Sequence, residues 1–240
     1  MARPVALLLL LLLSLLMPDA ILTDPTCVMQ GICGKNENGI VPCTVAKEPH
    51  KFEDSSDILN ILKDECPELF KGSDPIPDVC CSPDDVIKMQ QTMQLVTKNL
   101  QSCPSCARNV KEFLCHIHCA PNQASFMETI KSSPSANGSA IDTLNYFIKK
   151  QSMEDLYNSC AKQPVMKPLV HMGGCEKDCE NAREFTRVIG MRKLRSPFDM
   201  NIKMVDTGEK ITVNGKDGSP AEFLIVKCAD SKSCSDTCPV

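Results

Sequence analysis

The fold is decided by residues 79–126, which read VCCSPDDVIKMQQTMQLVTKNLQSCPSCARNVKEFLCHIHCAPNQASF. They hold six of the sixteen cysteines of the chain, at positions 80, 81, 103, 106, 115 and 119. Ser82 and Pro83 form a typical helix start, and apolar residues then recur at three- and four-residue spacing up to Leu100. A second helical pattern, over residues 108–118, follows the CPSC corner. This stretch therefore predicts a pair of helices joined by cysteine-rich corners.

The first residues of the chain predict its compartment. Arg3 precedes a leucine-rich run over residues 7–16, and a small, turn-prone end follows at residues 18–20. A basic start, a short apolar core and a small-residue exit are typical of a secretory signal peptide, and the run is short for a membrane span. We therefore expect residues 1–22 to be removed and residues 23–240 to form one cysteine-rich domain. An uncleaved signal anchor is the less favoured alternative.

Cysteine usage predicts a disulfide framework. All sixteen cysteines follow the signal segment, and an even number in an oxidising compartment favours bridges over zinc ligation. Asn137 begins an Asn-Gly-Ser sequon, which is consistent with a glycosylated lumenal or extracellular loop. The net charge of −4 and the pI near 5.6 argue against nucleic acid or an anionic membrane surface as a partner.

The segments around the central stretch predict an α+β fold. Residues 24–51 contain several glycines and the dipeptide Asn38-Gly39, so we expect a loop stapled by its cysteines. A second loop, with the sequon, is expected over residues 132–139. Further helices are predicted over residues 57–65, 141–159 and 175–188, and short strands over residues 201–205, 210–213 and 223–226. Helices followed by strands are typical of an α+β domain.

Two cysteine-containing motifs resemble reactive sites, and structural disulfides are favoured for both. The CPSC motif at Cys103 follows a helix, whereas thiol redox motifs follow a strand and begin a helix. Zinc bound by the C-H-I-H-C run at residues 115–119 would require free thiols in an oxidising lumen. The sequence has no G-x-S-x-G, H-E-x-x-H or P-loop signature, and Asp84 and Asp85 are explained by the helix dipole. We therefore predict neither an enzyme, nor a metal site, nor a cofactor.

A binding domain is the remaining possibility, and the methionine-bearing helix is its main indication. Met89 and Met93 lie on the apolar face of the first predicted helix, within a rigid, crosslinked frame. Such a face suits an apolar ligand in a largely pre-formed pocket. The alternative, which periodicity alone favours, is that these methionines belong to an ordinary core.

The cysteine pattern is specific enough to be compared with a known family. A C-x5-C-G motif at Cys27, the adjacent Cys80 and Cys81, the CPSC corner and C-x3-C-x-P-x-Q-x2-F at residues 115–126 occur in this order. Together they resemble the N-terminal lumenal domain of the Niemann–Pick type C membrane-spanning sterol transporters, including the intestinal paralogue. The resemblance covers essentially the whole mature chain and is strongest over residues 80–126.

This resemblance implies a disulfide-rich α+β fold, in which several helices pack on a small mixed sheet and enclose an apolar ligand pocket. It implies binding of one cholesterol-like sterol, often received from a small soluble lumenal carrier, and transfer of that sterol toward a membrane. It also implies the lumenal face of lysosomes or late endosomes, or the cell surface, as part of a membrane protein with a membrane-spanning remainder. The alternative function is a lumenal protein-interaction module that has lost or altered sterol binding.

The resemblance also implies a pairing of the cysteines. Six disulfides carry over from the family, namely Cys27–Cys80, Cys33–Cys43, Cys66–Cys115, Cys81–Cys119, Cys106–Cys160 and Cys175–Cys179. The family usually has two more cysteines in the tail, and their absence leaves four residues here. For these four we predict Cys103–Cys228 and Cys234–Cys238.

The pocket that the resemblance implies carries over unevenly. The mouth falls on Pro197, Phe198 and Met200, and the apolar lining falls on Met29, Met89 and Leu114. At the polar end, two amide positions of the family are Pro42 and Asp85 here, and an acidic position is Ile32. Asp85 or His118 would then meet the sterol hydroxyl, since a buried hydroxyl without a partner costs on the order of 1–3 kcal/mol. We therefore expect sterol binding with altered polar recognition.

Overall fold

The computed structural model describes residues 26–72, 74–101, 103–160, 181–190, 192, 196–223 and 225. These residues contain five α-helices and seven strands. The helices are α1 (Asp57–Glu65), α2 (Pro83–Asn99), α3 (Pro104–Cys119), α4 (Lys150–Cys160) and α5 (Ala182–Ile189). The strands are β1 (Cys27–Asn36), β2 (Gly39–Lys47), β3 (Met127–Ser135), β4 (Gly138–Lys149), β5 (Asp199–Val205), β6 (Ile211–Val213) and β7 (Lys216–Gly218). The predicted signal peptide, residues 1–22, lies outside these ranges.

Strand β4 is the centre of a mixed five-stranded sheet. The order is β1-β2-β4-β3, and β5 pairs with β4 in parallel while the other pairs are antiparallel. Leu144, Tyr146 and Ile148 of β4 are fully buried and share one hydrophobic core with residues of α3, α4 and α5. Helices therefore pack on a small mixed sheet, and the predicted α+β class is confirmed.

The helix predicted over residues 141–159 is wrong in its first half, because the chain forms strand β4 as far as Lys149. Ile141, Thr143 and Tyr146 are β-branched or aromatic, and such residues fit a pleated sheet better than a helix interior. Strands β3 and β5 both pair with β4, and these non-local ladders decide the conformation of an ambiguous apolar run. Helix α4 begins only at Lys150.

The loop predicted over residues 24–51 is wrong as well, since most of this segment is a β-hairpin formed by β1 and β2. The pairing register shifts three times along β1, so apolar and polar residues do not alternate with a period of two. Gly31 adopts a positive φ of 73° at one of these irregularities. The dipeptide Asn38-Gly39 does mark the turn of the hairpin.

Three smaller expectations also change. The loop predicted over residues 132–139 is a two-residue turn, because β3 ends at Ser135 and β4 begins at Gly138. The last strand within the described ranges is β7, which precedes the predicted residues 223–226; of these, the described residues 223 and 225 are not in a strand. The helix predicted over residues 175–188 is observed as α5, and residues 175–180 lie outside the described ranges.

Helix α3 separates two hydrophobic cores. Phe113 and Ile117 face the sheet core, whereas Cys115 and Cys119 face a smaller second core formed with α1 and α2. Residues two positions apart on a helix point in nearly opposite directions, which explains how one helix serves both cores. Pro104 starts this helix, so it begins four residues before the predicted start.

Five disulfides hold these elements together. The described residues contain Cys27–Cys80, Cys33–Cys43, Cys66–Cys115, Cys81–Cys119 and Cys106–Cys160, which is the pairing that the resemblance implies. Three of them end on α3, so this helix is tied to Cys66 at the end of α1, to Cys81 two residues before α2, and to Cys160 at the end of α4. Each such bridge typically stabilises a fold by about 2–4 kcal/mol. Cys103 is also disulfide-bonded, and the pairings predicted for Cys103–Cys228, Cys175–Cys179 and Cys234–Cys238 involve residues outside the described ranges.

Candidate ligand-binding site

The carboxylate of Asp85 joins the start of α2 to strand β1. Its Oδ2 atom accepts hydrogen bonds from the N–H of Gly31 at 2.7 Å, and from the N–H and hydroxyl of Ser82 at 2.9 and 2.7 Å. The Ser82 hydroxyl in turn accepts from the N–H of Asp85, which completes a capping box at the helix start. Asp85 is therefore held against the hairpin, with one of its two oxygens fully engaged.

The hairpin brings three predicted pocket positions to the same corner. Ile32 and Pro42 lie opposite each other in the β1–β2 ladder, and Pro42 is buried. Met29 is 2% exposed and belongs to the sheet core. Because Gly31 lies between Met29 and Ile32, its bond to Asp85 sets α2 beside this part of β1. The corner thus combines apolar side chains with one carboxylate.

Gln123 fixes strand β1 to the end of α3. Its fully buried side chain accepts, through Oε1, from the N–H groups of Val28 and Met29 at 2.9 and 3.1 Å. Through Nε2 it donates to the carbonyls of Ile117 and His118 at 3.0 and 3.1 Å. These four bonds satisfy the amide completely. The role of Gln123 was not predicted, although the C-x3-C-x-P-x-Q motif marks its position.

His118 lies beside this corner, at the end of α3. Its ring is half-buried, and burial lowers its pKa below the usual 6.5 while the carboxylate of Asp85 acts in the opposite direction. The imidazole is therefore mainly neutral near pH 7. A neutral imidazole has one donor and one acceptor nitrogen, so it suits a ligand hydroxyl.

The predicted mouth lies at the start of β5, where the hairpin tip reaches it. Phe198 is 5% exposed within the sheet core, and Met200 packs against the same core. Pro197 is half-buried, and its carbonyl accepts a 2.7 Å hydrogen bond from Nδ2 of Asn36. The structure thus joins this segment to the strand that carries Met29. The contact of Asn36 was not predicted, because the whole segment around it was expected to be a loop.

Met89 and Leu114, the other two predicted lining residues, belong to the second core. Sδ of Met89 lies 3.9 Å from Sγ of Cys66, beside the Cys66–Cys115 bridge, and Leu114 packs against the same cluster. Met29 and Phe198 belong to the sheet core. The structure therefore divides the predicted lining between two cores, with α3 between them.

Helix α3 also carries two groups whose pKa values burial displaces. Burial, and then the charge of Glu68, raise the pKa of Glu112 to about 7, although Arg108 and a nearby lysine oppose this. Burial lowers the pKa of His116 to about 4, and its Nδ1 lies 3.3 Å from the hydroxyl of Tyr146. Glu112 therefore loses its proton at a higher pH than an ordinary glutamate, and His116 gains one at a lower pH than an ordinary histidine.

An open cleft of about 460 Å³ lies between α4, α5 and β5. Its described lining includes Lys150, Glu154 and Arg183 together with Tyr157 and Met204, and it shares no described residue with the predicted pocket. Such a charged lining does not suit a sterol. Over the described ranges, no three His, Cys, Asp or Glu side chains are grouped to hold a metal ion.

Fold and contacts together define a disulfide-framed α+β domain, in which strand β1 contacts the start of α2 at Gly31 and the segment before β5 at Asn36. Comparison with known families gives the identity of this class. The chain belongs to the Niemann-Pick C1 N terminus family, whose model matches residues 24–239. This match covers nearly all of the region that follows the predicted signal peptide.

Curated relatives carry the names of cholesterol transporters. NPC1-like intracellular cholesterol transporter 1 of Homo sapiens is 27% identical over 149 residues, which are 58% of this chain and 11% of that protein. NPC intracellular cholesterol transporter 1 of Sus scrofa is 27% identical over 158 residues, which are 62% of this chain and 12% of that protein. NPC intracellular cholesterol transporter 1 homolog 1b of Drosophila melanogaster is 22% identical over 202 residues, which are 75% of this chain and 16% of that protein.

The matched region is a small part of these relatives, between 11% and 16% of their length. The family is therefore one of cholesterol transport proteins, and this chain corresponds to one portion of them. None of the described helices combines the length and apolar character that a membrane span requires.

Proposed function

We propose that this chain binds one cholesterol-like sterol in an internal apolar pocket and passes it toward a membrane. The observation that carries the proposal is membership of a family whose relatives are named cholesterol transporters. Two contacts of β1 support it, because they hold the oriented carboxylate of Asp85 and the segment of the buried Phe198 against the strand that carries Met29. No bond is made or broken in this function, so the protein acts as a carrier and not as an enzyme.

In this proposal the sterol hydroxyl lies near Asp85 and His118. Three donors already engage Oδ2 of Asp85, so its other carboxylate oxygen is the acceptor that remains for a ligand. The neutral ring of His118 supplies a second partner. Ile32 and Pro42 have no polar side-chain group, so they act as apolar walls beside this end.

The body of the sterol would contact the apolar residues. We assign Met29, Met89 and Leu114 to the lining, and Pro197, Phe198 and Met200 to the mouth. Met29 and Phe198 share the sheet core, so they would contribute from that side. Met89 and Leu114 would contribute from the second core, on the far side of α3.

The setting of this domain follows from the same family. We propose that residues 1–22 are removed, that residues 23–240 form one domain, and that it lies on the lumenal face of lysosomes or late endosomes or on the cell surface. Its partners would be a small soluble lumenal sterol carrier and a membrane-spanning remainder of the same protein. Asn137 is exposed in the β3–β4 turn, which suits a glycan. Digestion with an N-glycosidase should lower the mass of the secreted wild type but not of Asn137→Gln.

A saturable binding assay with labelled sterol tests the proposal. The secreted wild type should bind about one sterol per chain, and Phe198→Ala should weaken binding by at least about tenfold through lost apolar contact. Asp85→Asn keeps the size of the side chain and places an amide at the polar end, so it should change the affinity or the sterol preference. Asp84→Asn is the matched control, because Asp84 is an exposed neighbour in the same helical turn.

Two results would contradict the proposal. A wild type that is folded, as judged by circular dichroism, and binds no sterol would refute the function. Wild-type affinity in both Phe198→Ala and Asp85→Asn would refute the assignment of the pocket while leaving the function intact.

One alternative function has an observation in its favour. The positions that correspond to amides in the resemblance are Pro42 and Asp85, and the Oδ2 atom of Asp85 is engaged within the protein. A protein-interaction module that has lost sterol binding would show this loss of polar partners. Absence of sterol binding, together with saturable binding to the soluble carrier of the pathway, would favour this alternative.

A further inference from the structure

The tip of the β1–β2 hairpin touches the start of β5 through one side chain. Nδ2 of Asn36 donates to the carbonyl of Pro197 at 2.7 Å, across 161 residues of sequence. We propose that this contact is a latch that controls how fast a ligand enters and leaves the apolar corner. The inference rests on the proposed sterol-binding function, because it concerns access to the same site.

Asn36 is oriented for this contact before it is made. Its Oδ1 accepts a 2.9 Å hydrogen bond from the N–H of Asn38, which closes a local turn at the hairpin tip. With the carbonyl end of the amide fixed in this way, its NH₂ end points toward Pro197. Both ends of one side chain are therefore used, one inside the hairpin and one across to β5.

Among the described residues, few other hydrogen bonds hold this end of the hairpin, and one of them is donated by the hydroxyl of Ser135 to the carbonyl of Cys33. The Cys33–Cys43 bridge closes the base of the tip, and Nδ2 of Asn137 donates to the carbonyl of Ile32 just below it, at 3.2 Å. Beyond the bridge, residues 35–40 make no other hydrogen bond to a described residue outside the hairpin. Loss of the Asn36 bond would thus release the tip, with the disulfide as its hinge.

The other side of the latch is the predicted mouth. Proline has no backbone N–H, so the carbonyl of Pro197 is the only hydrogen-bonding group of its backbone. The next residue, Phe198, is buried in the sheet core and begins the approach to β5. Holding Pro197 therefore holds the backbone of the aromatic residue that closes the corner.

A latch of this kind acts on rates more than on affinity. The Asn36 bond joins two protein segments and involves no ligand atom, so its rupture favours the open state equally with and without ligand. A single neutral hydrogen bond changes such an equilibrium by about three- to tenfold. Entry and exit should accelerate together, and the dissociation constant should stay within about twofold.

Asn36→Asp is the variant that tests the latch. It keeps an Oδ1 acceptor for the N–H of Asn38 and loses the donor to Pro197, so the local turn is preserved. Stopped-flow measurements with a fluorescent sterol should show association and dissociation about three- to tenfold faster than in the wild type. Asn122→Asp is the matched control, because Asn122 is exposed and the bond that its Nδ2 makes to a described residue is to Ser125, within its own turn. Unchanged rates in Asn36→Asp, or an equal acceleration in Asn122→Asp, would overturn the proposal.

A second measurement does not depend on sterol binding. Hydrogen exchange of the ligand-free protein, followed by mass spectrometry, should be about three- to tenfold faster over residues 34–42 in Asn36→Asp and unchanged over β3 and β4. If the wild type binds no sterol, the proposed function fails, and this experiment still decides whether Asn36 holds the tip. Equal exchange over residues 34–42 in both proteins would refute the latch.

Discussion

Glu112 should make the protein more stable in acid than at neutral pH. The side chain is 4% exposed, on the face of α3 toward the turn that contains Glu68. Burial first, and then the charge of Glu68, raise its pKa from 4.5 to about 7, while Arg108 and Lys71 partly offset them. The folded state thus binds this proton more tightly than the unfolded state. Its contribution to stability is full below about pH 4.5 and is lost as the pH rises through about 7.

The size of this effect follows from the displaced pKa. A rise from 4.5 to about 7 corresponds to roughly 3 kcal/mol, because each factor of ten in proton affinity is worth about 1.4 kcal/mol. Screening by solvent reduces this figure, so we expect about 2 kcal/mol. Glu112→Gln keeps the shape of the protonated acid and removes the charge. It should match the wild type near pH 4.5 and exceed its free energy of unfolding by about 2 kcal/mol near pH 8.

Urea unfolding with intact disulfides, followed by far-ultraviolet circular dichroism at several pH values, measures this difference. Comparison of the variant with the wild type cancels the titration of other groups, including the two histidines of α3. Glu53→Gln is the control for the loss of one carboxylate, since Glu53 is exposed. If Glu112→Gln and the wild type had parallel stability curves between about pH 4.5 and pH 8, the reasoning would be refuted.

Three other results are expected. Because the pKa of His116 is lowered, its contribution to stability is full above about pH 6.5 and is lost as the pH falls through about 4. An NMR titration of the His116 ring should show a midpoint near 4 and not near 6.5. Asp85→Ala removes the capping box and the tether to β1, so it should lower the free energy of unfolding by about 1–3 kcal/mol, whereas Asp84→Ala should change it by less than about 0.5 kcal/mol. Met89→Ala should lower the free energy of unfolding by about 2–5 kcal/mol, because it leaves a cavity in the second core. It should nevertheless weaken sterol binding less than Phe198→Ala does. If Met89→Ala weakened binding more than Phe198→Ala, the ligand would lie between α2 and α3.

Local signals in the sequence predicted the helices well where caps define them. Ser56 and Ser82 each accept a hydrogen bond from the third residue of the following helix, and both starts were predicted from residue type alone. The β1–β2 hairpin and β4 were not predicted, because bulges hide the alternation in β1 and because pairing with β3 and β5 overrides an ambiguous apolar pattern in β4.

The candidate site was predictable only in part, for a related reason. Cysteine spacing and short motifs indicated Asp85 and Phe198 as candidates, but they carry no information on which side chains meet across the fold. Gln123 bonds to residues 94 and 95 positions away, and Asn36 bonds to a carbonyl 161 positions away. Contacts at such separations follow from the assembled topology. The raised pKa of Glu112 likewise depends on burial and on the charge of Glu68, a residue that lies 44 positions earlier in the chain and outside α3.

The adjacent cysteines before α2 impose an order on biosynthesis. Cys80 pairs with Cys27, which is made earlier, whereas Cys81 pairs with Cys119, which is made later. While the chain emerges from the ribosome, the thiols of Cys27, Cys80 and Cys81 are therefore present together before α3 is complete. A wrong bridge between Cys27 and Cys81 is open to the nascent chain during that interval, and thiol–disulfide exchange is the route that corrects it. Efficient production of this protein should accordingly depend on a disulfide isomerase, and an expression host that oxidises thiols without reshuffling them should accumulate the mispaired form.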